Sequence, residues 1–187
     1  SKQHKNRAEI IAGRHVIEDG MLGLRFEISP YSFYQVNPVQ AERLYKKAVE
    51  YAGIKGGETV LDLYCGVGTI GLFMAKAGAC KVVGIELVKE AVLNANRNAV
   101  INGIVNAIYY TGKSKEELPR LREEVEIEKA DVVILDPPRK GCDEALLKAV
   151  VDTEADRIVY ISCDPATMSR DVKYLVENGY EYVKGTP

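Results

Sequence analysis

The chain has 187 residues, a formal net charge of −2 and 47% hydrophobic residues. That length and apolar share suit one α/β domain with a full core, and so little net charge argues against strong nucleic-acid binding by this segment alone. No apolar run reaches the length of a membrane span and no signal peptide is visible. Cys65, Cys80, Cys142 and Cys163 form no C-x-x-C pair, so the expectation is a cytoplasmic protein with no metal and no membrane contact.

The first residue is Ser rather than Met, so the sequence reads as a piece of a longer protein. The basic run over residues 1–7 reads as a solvated terminus. Two short strands are expected over 8–19 and 22–28, turning at Asp19-Gly20. Residues 1–30 are accordingly assigned to a hairpin left from a preceding domain, and 31–187 to the main domain. Pro30-Tyr-Ser-Phe-Tyr-Gln-Val-Asn-Pro38 reads as a packed aromatic loop. Its Gln35 amide is placed to read a planar base or a cofactor carboxylate, while Asn37 caps a helix begun by Pro38.

That helix runs over 38–52 and stops at Gly53. Thr59-Val-Leu-Asp-Leu-Tyr-Cys-Gly-Val-Gly-Thr-Ile-Gly71 then reads as strand, tight glycine turn and helix, the stretch around which the rest is organised. Gly66 and Gly68 let the backbone approach a ligand, toward which the turn amides point. Asp62 lies near the carboxyl end of the strand, and the next strand, 81–86, ends in Glu86, placed to bond ribose hydroxyls. Two cofactor classes fit. Gly66, Gly68 and Gly71 satisfy the G-x-G-x-x-G of nicotinamide dinucleotide sites, with Glu86 at the right distance. Asp62, Gly66 and Gly68 equally satisfy the D-x-x-x-G-x-G of S-adenosylmethionine (SAM) enzymes.

A helix over 88–101, closed by Asn102-Gly103, and a strand over 107–111 follow. The charged stretch 113–129 carries a short helix that Pro119 interrupts or begins. Next come a strand over 131–136, a helix over 143–151 and a strand over 157–162. The last helix opens at Asp164-Pro165 and ends at Asn178-Gly179, and 180–184 begin a further strand. This alternation predicts a Rossmann-like α/β fold: a mostly parallel sheet with helices on both faces, preceded by the hairpin.

Two further places carry chemistry. Asp136 ends an apolar strand and is followed by two prolines, which hold its carboxylate still beside the ligand crevice. An acid followed by two prolines here favours a methyltransferase over a dehydrogenase, since amino-group methylases of nucleic acids place an acid or amide and two prolines at this point. Cys163 follows the strand over 157–162 at the same sheet edge. It lies at a helix start, which favours the nucleophilic thiolate, and beside Asp164, which opposes it. Cys65, Cys80 and Cys142 read as small buried hydrophobes.

Ser32-Phe-Tyr-Gln-Val-Asn37, Asp62-Leu-Tyr-Cys-Gly-Val-Gly68, Asp136-Pro-Pro-Arg-Lys-Gly141 and Ser162-Cys-Asp-Pro165 occur in this order. Together they resemble the RNA uracil-5-methyltransferase family, over nearly the whole chain from about residue 20. The resemblance implies a SAM-dependent methyltransferase fold and transfer of a methyl group to carbon 5 of a uridine through a covalent cysteine adduct. The substrate it implies is RNA, with 23S rRNA the first expectation and tRNA the alternative. Gln35, Tyr64, Glu86 and Asp136 would contact or adjoin SAM, with Asp62, Gly66 and Gly68 forming the turn around it, and Cys163 would be the nucleophile. Lys113 stands where the family often has an acid, and Asp164 where Asn is commoner. The family's RNA-binding barrel and the cysteines of its cluster-bearing members fall outside this sequence, and its general-base glutamate is expected just beyond Pro187. The alternatives are a cytosine-5 RNA methyltransferase, some of which carry their cysteine at the position of Asp136, and an NAD-dependent dehydrogenase.

Overall fold

The computed structural model describes residues 16–29, 37–124, 127 and 129–187. The first part of the expected N-terminal strand and the aromatic loop with Gln35 lie outside the described residues.

Strands β1 (Ile17–Met21) and β2 (Leu24–Ile28) form an antiparallel hairpin in which Asp19 faces Phe26 and Met21 faces Leu24. The turn therefore falls at Leu22-Gly23, both at positive φ (49° and 74°), and not at the expected Asp19-Gly20. Burial decides the register. This pairing sinks Met21, Leu24, Phe26 and Ile28 into the core, each worth about 1.5–3 kcal/mol. A leucine in the left-handed region costs only about 1–2 kcal/mol. The Lys76 ammonium also donates to the Leu22 carbonyl (2.7 Å), tying the turn down.

Helix α1 (Pro38–Ala52) starts where the Asn37 side chain accepts the Gln40 N–H, and stops at Gly53, with φ 57°. The units β3 (Thr59–Leu63), α2 (Thr69–Lys76), β4 (Lys81–Glu86), α3 (Lys89–Ile101) and β5 (Ala107–Thr111) follow. Then come α4 (Ser114–Glu124), β6 (Val132–Leu135), α5 (Glu144–Val151), β7 (Arg157–Tyr160) and α6 (Pro165–Glu177). Pro119 sits inside α4, which runs through it, and neither begins nor interrupts the helix. Its cost of about 3 kcal/mol is offset by Leu118 and Leu121, both wholly buried. Residues 180–184 form no strand. They run irregularly, with Tyr182 and Val183 exposed, and the outer edge of β7 has no strand paired to it among the described residues.

The main sheet is parallel in the order β5-β4-β3-β6-β7. Side-chain alternation splits the core into two layers. Val60, Val82, Val132, Ile134 and Val159 meet α1, α2, α3 and the hairpin. Leu61, Leu63, Val83, Ile85, Val133 and Leu135 meet α4, α5 and α6.

The hairpin is held to this body by an asparagine ladder. Asn94, Asn98 and Asn102 share one face of α3. Their side-chain oxygens accept the backbone N–H groups of Ser29 (3.2 Å), Glu27 (2.7 Å) and Arg25 (2.9 Å). Asn98 and Asn102 donate back to the carbonyls of Glu27 (3.2 Å) and Arg25 (2.7 Å). The helix thus stands in for a strand along the edge of β2.

Candidate active site

The sheet register brings three acids together. Asp62 pairs with Gly84 of β4 and Ile134 of β6, so Glu86 and Asp136 lie two positions further along the two strands that flank β3. By strand parity all three belong to the face covered by α1 and α2. Asp62 is wholly buried, and its carboxyl is pushed up to about 7 by burial, with the charges of Asp136 and Glu86 adding to the shift. Burial pushes the Asp136 carboxyl up to about 6. Tyr45, reaching in from α1, is raised by burial first and then by Asp136 and Asp62.

The glycine turn closes over this cluster. Asp62 Oδ2 accepts the Gly71 N–H (2.8 Å). Glu86 accepts the Gly66 N–H (3.1 Å) with one oxygen and the Val88 N–H (2.9 Å) with the other, joining the turn to the start of α3. Tyr64, Gly66 and Gly68 all take positive φ (66°, 54° and 82°). Tyr64 directs its ring to the opposite layer, where burial and the neighbouring Cys142 raise its phenol.

Gly68 has a reason the sequence did not suggest. A Cβ there would lie 2.9 Å from the Tyr109 ring and 3.0 Å from Ala95. It is needed for packing beneath the turn, beyond any approach of a ligand. Tyr109, buried, donates to the Gly68 carbonyl (3.2 Å) and fills the space over Gly84, its partner across the sheet. Asn98 also donates to the Val67 carbonyl (3.0 Å), so the turn is braced from α3 as well. Tyr109 and Asn98 were not singled out from sequence. The available signals were a glycine inside a β-branched strand and asparagines four residues apart.

One atom in the cluster lacks a partner: Asp62 Oδ1 is buried with no hydrogen bond. Buried carboxylates are costly unless paired. Three acids with an unused acceptor suit a cationic ligand and oppose a pyrophosphate, which disfavours a nicotinamide dinucleotide. The sulfonium and ammonium of SAM fit this charge, and Glu86 keeps acceptor capacity for ribose hydroxyls.

Cys163 lies at the same sheet edge. The Ile161 N–H donates to the Leu135 carbonyl (2.8 Å), which sets Asp136 level with Ile161, two residues before the thiol. Cys163 is exposed and lines a groove of about 1590 Å³ bounded by β7, the start of α6, Tyr51 of α1 and residues 180–187. Ser162 and Asp164 hold each other (2.9 Å), and Asp164 caps α6 through the N–H groups of Ala166 (2.9 Å) and Thr167 (3.1 Å). Cys65 and Cys142 are buried as expected, and burial pushes the Cys142 thiol up to about 12. Cys80 differs from expectation: it is exposed, its thiol on the Gly57 carbonyl (2.9 Å). Among the described residues no cluster could hold a metal ion, and no helix is long and apolar enough to cross a membrane.

A doubly covered parallel sheet with this acid-rimmed glycine turn defines the SAM-dependent methyltransferase fold. A SAM-dependent methyltransferase from Agrobacterium tumefaciens shares it with a TM-score of 0.54 at 24% identity, over 70% of this chain and 42% of its own. The chain belongs to the tRNA (uracil-5-)-methyltransferase family, whose model matches residues 10–180. It is 51% identical over 182 residues to an uncharacterized RNA methyltransferase of Caldanaerobacter subterraneus, covering 97% of this chain and 40% of that protein. It is similar, at 36% identity and a TM-score of 0.72, to Pyrococcus abyssi tRNA (uracil-54, C5)-methyltransferase crystallised with S-adenosyl-L-homocysteine, over 87% of this chain and 38% of that one. The chain thus spans about 40% of the length of the curated relatives it matches.

Proposed function

We propose that the full-length protein methylates carbon 5 of a uridine in RNA, using SAM, with Cys163 as covalent nucleophile. The observation that carries this reading is that Asp136 and Cys163 end adjacent strands at the edge where Asp62 and Glu86 gather. SAM, when bound, supplies a methyl group on a sulfonium. Asp62, Glu86 and Asp136 hold its positive charge and ribose, with Gly66, Gly68 and the backbone of Tyr64 shaping the turn and Gln35 adjoining.

Carbon 5 of uracil is a weak nucleophile. The Cys163 thiolate adds to carbon 6, and the electron pair of the 5,6 double bond then becomes available at carbon 5 for the methyl group. A base removes the carbon 5 proton, the carbon–sulfur bond breaks, the double bond reforms and the thiolate is released. One hard step becomes several easier ones. Asp136, whose carboxyl titrates near 6, is suited to hold or move a proton on the base at neutral pH. The uridine must be turned out of its RNA structure to reach the thiol.

The substrate is structured RNA in the cytoplasm. The family description and the Pyrococcus abyssi relative support tRNA, and 23S rRNA is the alternative to be compared directly. The test offers SAM and 5-fluorouridine-substituted tRNA or 23S rRNA fragments to the full-length protein. Fluorine cannot leave as the proton does, so a denaturation-resistant adduct is expected with one of the two RNAs and none with Cys163→Ala. An adduct that persists in Cys163→Ala would refute the assignment of the nucleophile.

A further inference from the structure

Asp171 lies on α6, two turns beyond its start, with its side chain wholly buried. A buried carboxylate is costly unless its acceptor positions are filled, and here they are. Oδ2 accepts the backbone N–H of Cys142 (2.7 Å) and the phenol of Tyr160 (2.6 Å). Oδ1 accepts from Arg170 Nε (2.8 Å). Arg170 Nη2 in turn donates to the carbonyls of Lys140 (3.0 Å) and Cys142 (2.9 Å). One turn nearer the start of α6, the Thr167 hydroxyl bridges the carbonyls of Arg139 (2.9 Å) and Asp164 (3.2 Å).

Four of these bonds end on one segment, residues 139–142, which directly continues Asp136-Pro137-Pro138. They start from the first two turns of the helix that begins beside Cys163. The approach is so close that only glycine fits at 141. Its φ is 74°, and a Cβ would lie 2.6 Å from both Arg170 Nη2 and Asp171 Oδ2. Apolar packing would join loop and helix with as much stability. A fully satisfied polar network instead fixes one geometry.

The geometry points to Asp171, Arg170 and Thr167 as positioning residues that lock the segment after Asp136 to the helix after Cys163, so that carboxylate and thiol keep a single spacing during addition to the base. This rests on the proposed roles of Asp136 and Cys163. Such spacing matters because displacements of about 1 Å cost on the order of 100-fold in rate.

The test uses the full-length protein, SAM and 5-fluorouridine RNA at saturation. Thr167→Val and Arg170→Lys are expected to slow adduct formation roughly 10- to 100-fold at temperatures well below their melting, with SAM affinity and RNA half-saturation unchanged. Thr167→Ser, which restores the hydroxyl, is expected to recover the rate. Wild-type rates in Thr167→Val and Arg170→Lys, or losses that follow melting temperature alone, would overturn the proposal. Asp171→Asn supplies a readout independent of catalysis: hydrogen exchange at the Cys142 amide should accelerate about tenfold or more, while β3 and β6 amides stay protected. If wild-type protein forms no adduct through Cys163, the nucleophile assignment fails. The exchange measurement then decides the lock, and unchanged Cys142 protection would overturn it.

Discussion

Asp62→Asn is expected to stabilise the ligand-free chain near neutral pH while weakening SAM binding. In the folded chain the Asp62 carboxyl is raised from 3.8 to about 7, by burial first. A group whose folded pKa lies above its unfolded value contributes stability that is fully present below the unfolded pKa and is lost as pH rises through the folded one. Between those limits the loss is about 1.4 kcal/mol per pH unit, or about 2.5 kcal/mol from pH 5 to pH 7.5. Asparagine does not titrate, keeps an acceptor for the Gly71 N–H and has nearly the same volume. The advantage of the variant over the wild type should therefore grow by about 2.5 kcal/mol between pH 5 and pH 7.5, roughly 5–10 °C in melting temperature for a chain of this size. Glu58, Asp143 and Asp156, whose exposed carboxyls are lowered by hydrogen bonds, are present in both proteins and cancel in the comparison. Urea titrations of both proteins across this pH range measure the difference. Parallel pH profiles would show that Asp62 does not carry a strained charge. The ligand should reverse the order: a cation favours the ionised cluster, so SAM affinity should rise with pH in the wild type and be weaker and flatter in Asp62→Asn. Calorimetry at the two ends of the range checks that sign.

Glu86→Ala removes a charged acceptor and the group that ties Gly66 to Val88, so SAM binding should weaken by about 1.5–3 kcal/mol, read by calorimetry. Cys163→Ala, at an exposed position, should leave melting within about 0.5 kcal/mol of wild type and SAM affinity intact while abolishing adduct formation. Asn98→Ala leaves the Glu27 N–H and the Glu27 and Val67 carbonyls without their partner, and should cost about 3 kcal/mol in urea unfolding. Gly84→Ala places a methyl group 2.2 Å from Tyr109 Cδ1, so a loss of about 1–3 kcal/mol is expected, with SAM affinity falling as Tyr109 is driven into the glycine turn.

The parallel sheet was legible because each βα unit carries its own punctuation. Asn37 before Pro38, Gly53 after Ala52, and Asp164 before Pro165 act within a few residues of themselves, so their neighbours in sequence are their neighbours in space. The hairpin turn was misplaced for the opposite reason. Asp19-Gly20 is the stronger local turn signal, yet the register answers to Phe26 in the core, to Lys76 on the Leu22 carbonyl and to the ladder on α3, more than fifty residues away in chain. The aromatic and β-branched residues of 180–184 suit a strand, but here Tyr180 alone packs against the core and residues 181–184 stay exposed.

The same division runs through the site. Asp62, Glu86 and Asp136 could be read as candidates lying together because an acid at the end of an apolar parallel strand has few structural uses, and parallel strands bring their ends to one edge whatever their order. Their mutual charge could not be read, since it depends on β4, β3 and β6 being neighbours and on how deeply Asp62 is buried. Gly68 shows where a motif underdetermines its cause. Ligand approach and tight packing both demand a glycine there, and the choice between them rests on Tyr109, which arrives from β5. Asp171 is harder still. In sequence it is one more acid beside an arginine on an amphipathic helix, a pattern that ordinarily marks a solvated face. Only the close approach permitted by Gly141, thirty residues earlier, buries Asp171, lays Arg170 across the loop that follows Asp136 and makes the pair a clamp on it. A variant at Gly141 should therefore behave as a variant of Asp171: Gly141→Ala would press its methyl group on Arg170 and Asp171 and push the loop from the helix without removing any polar group of the network.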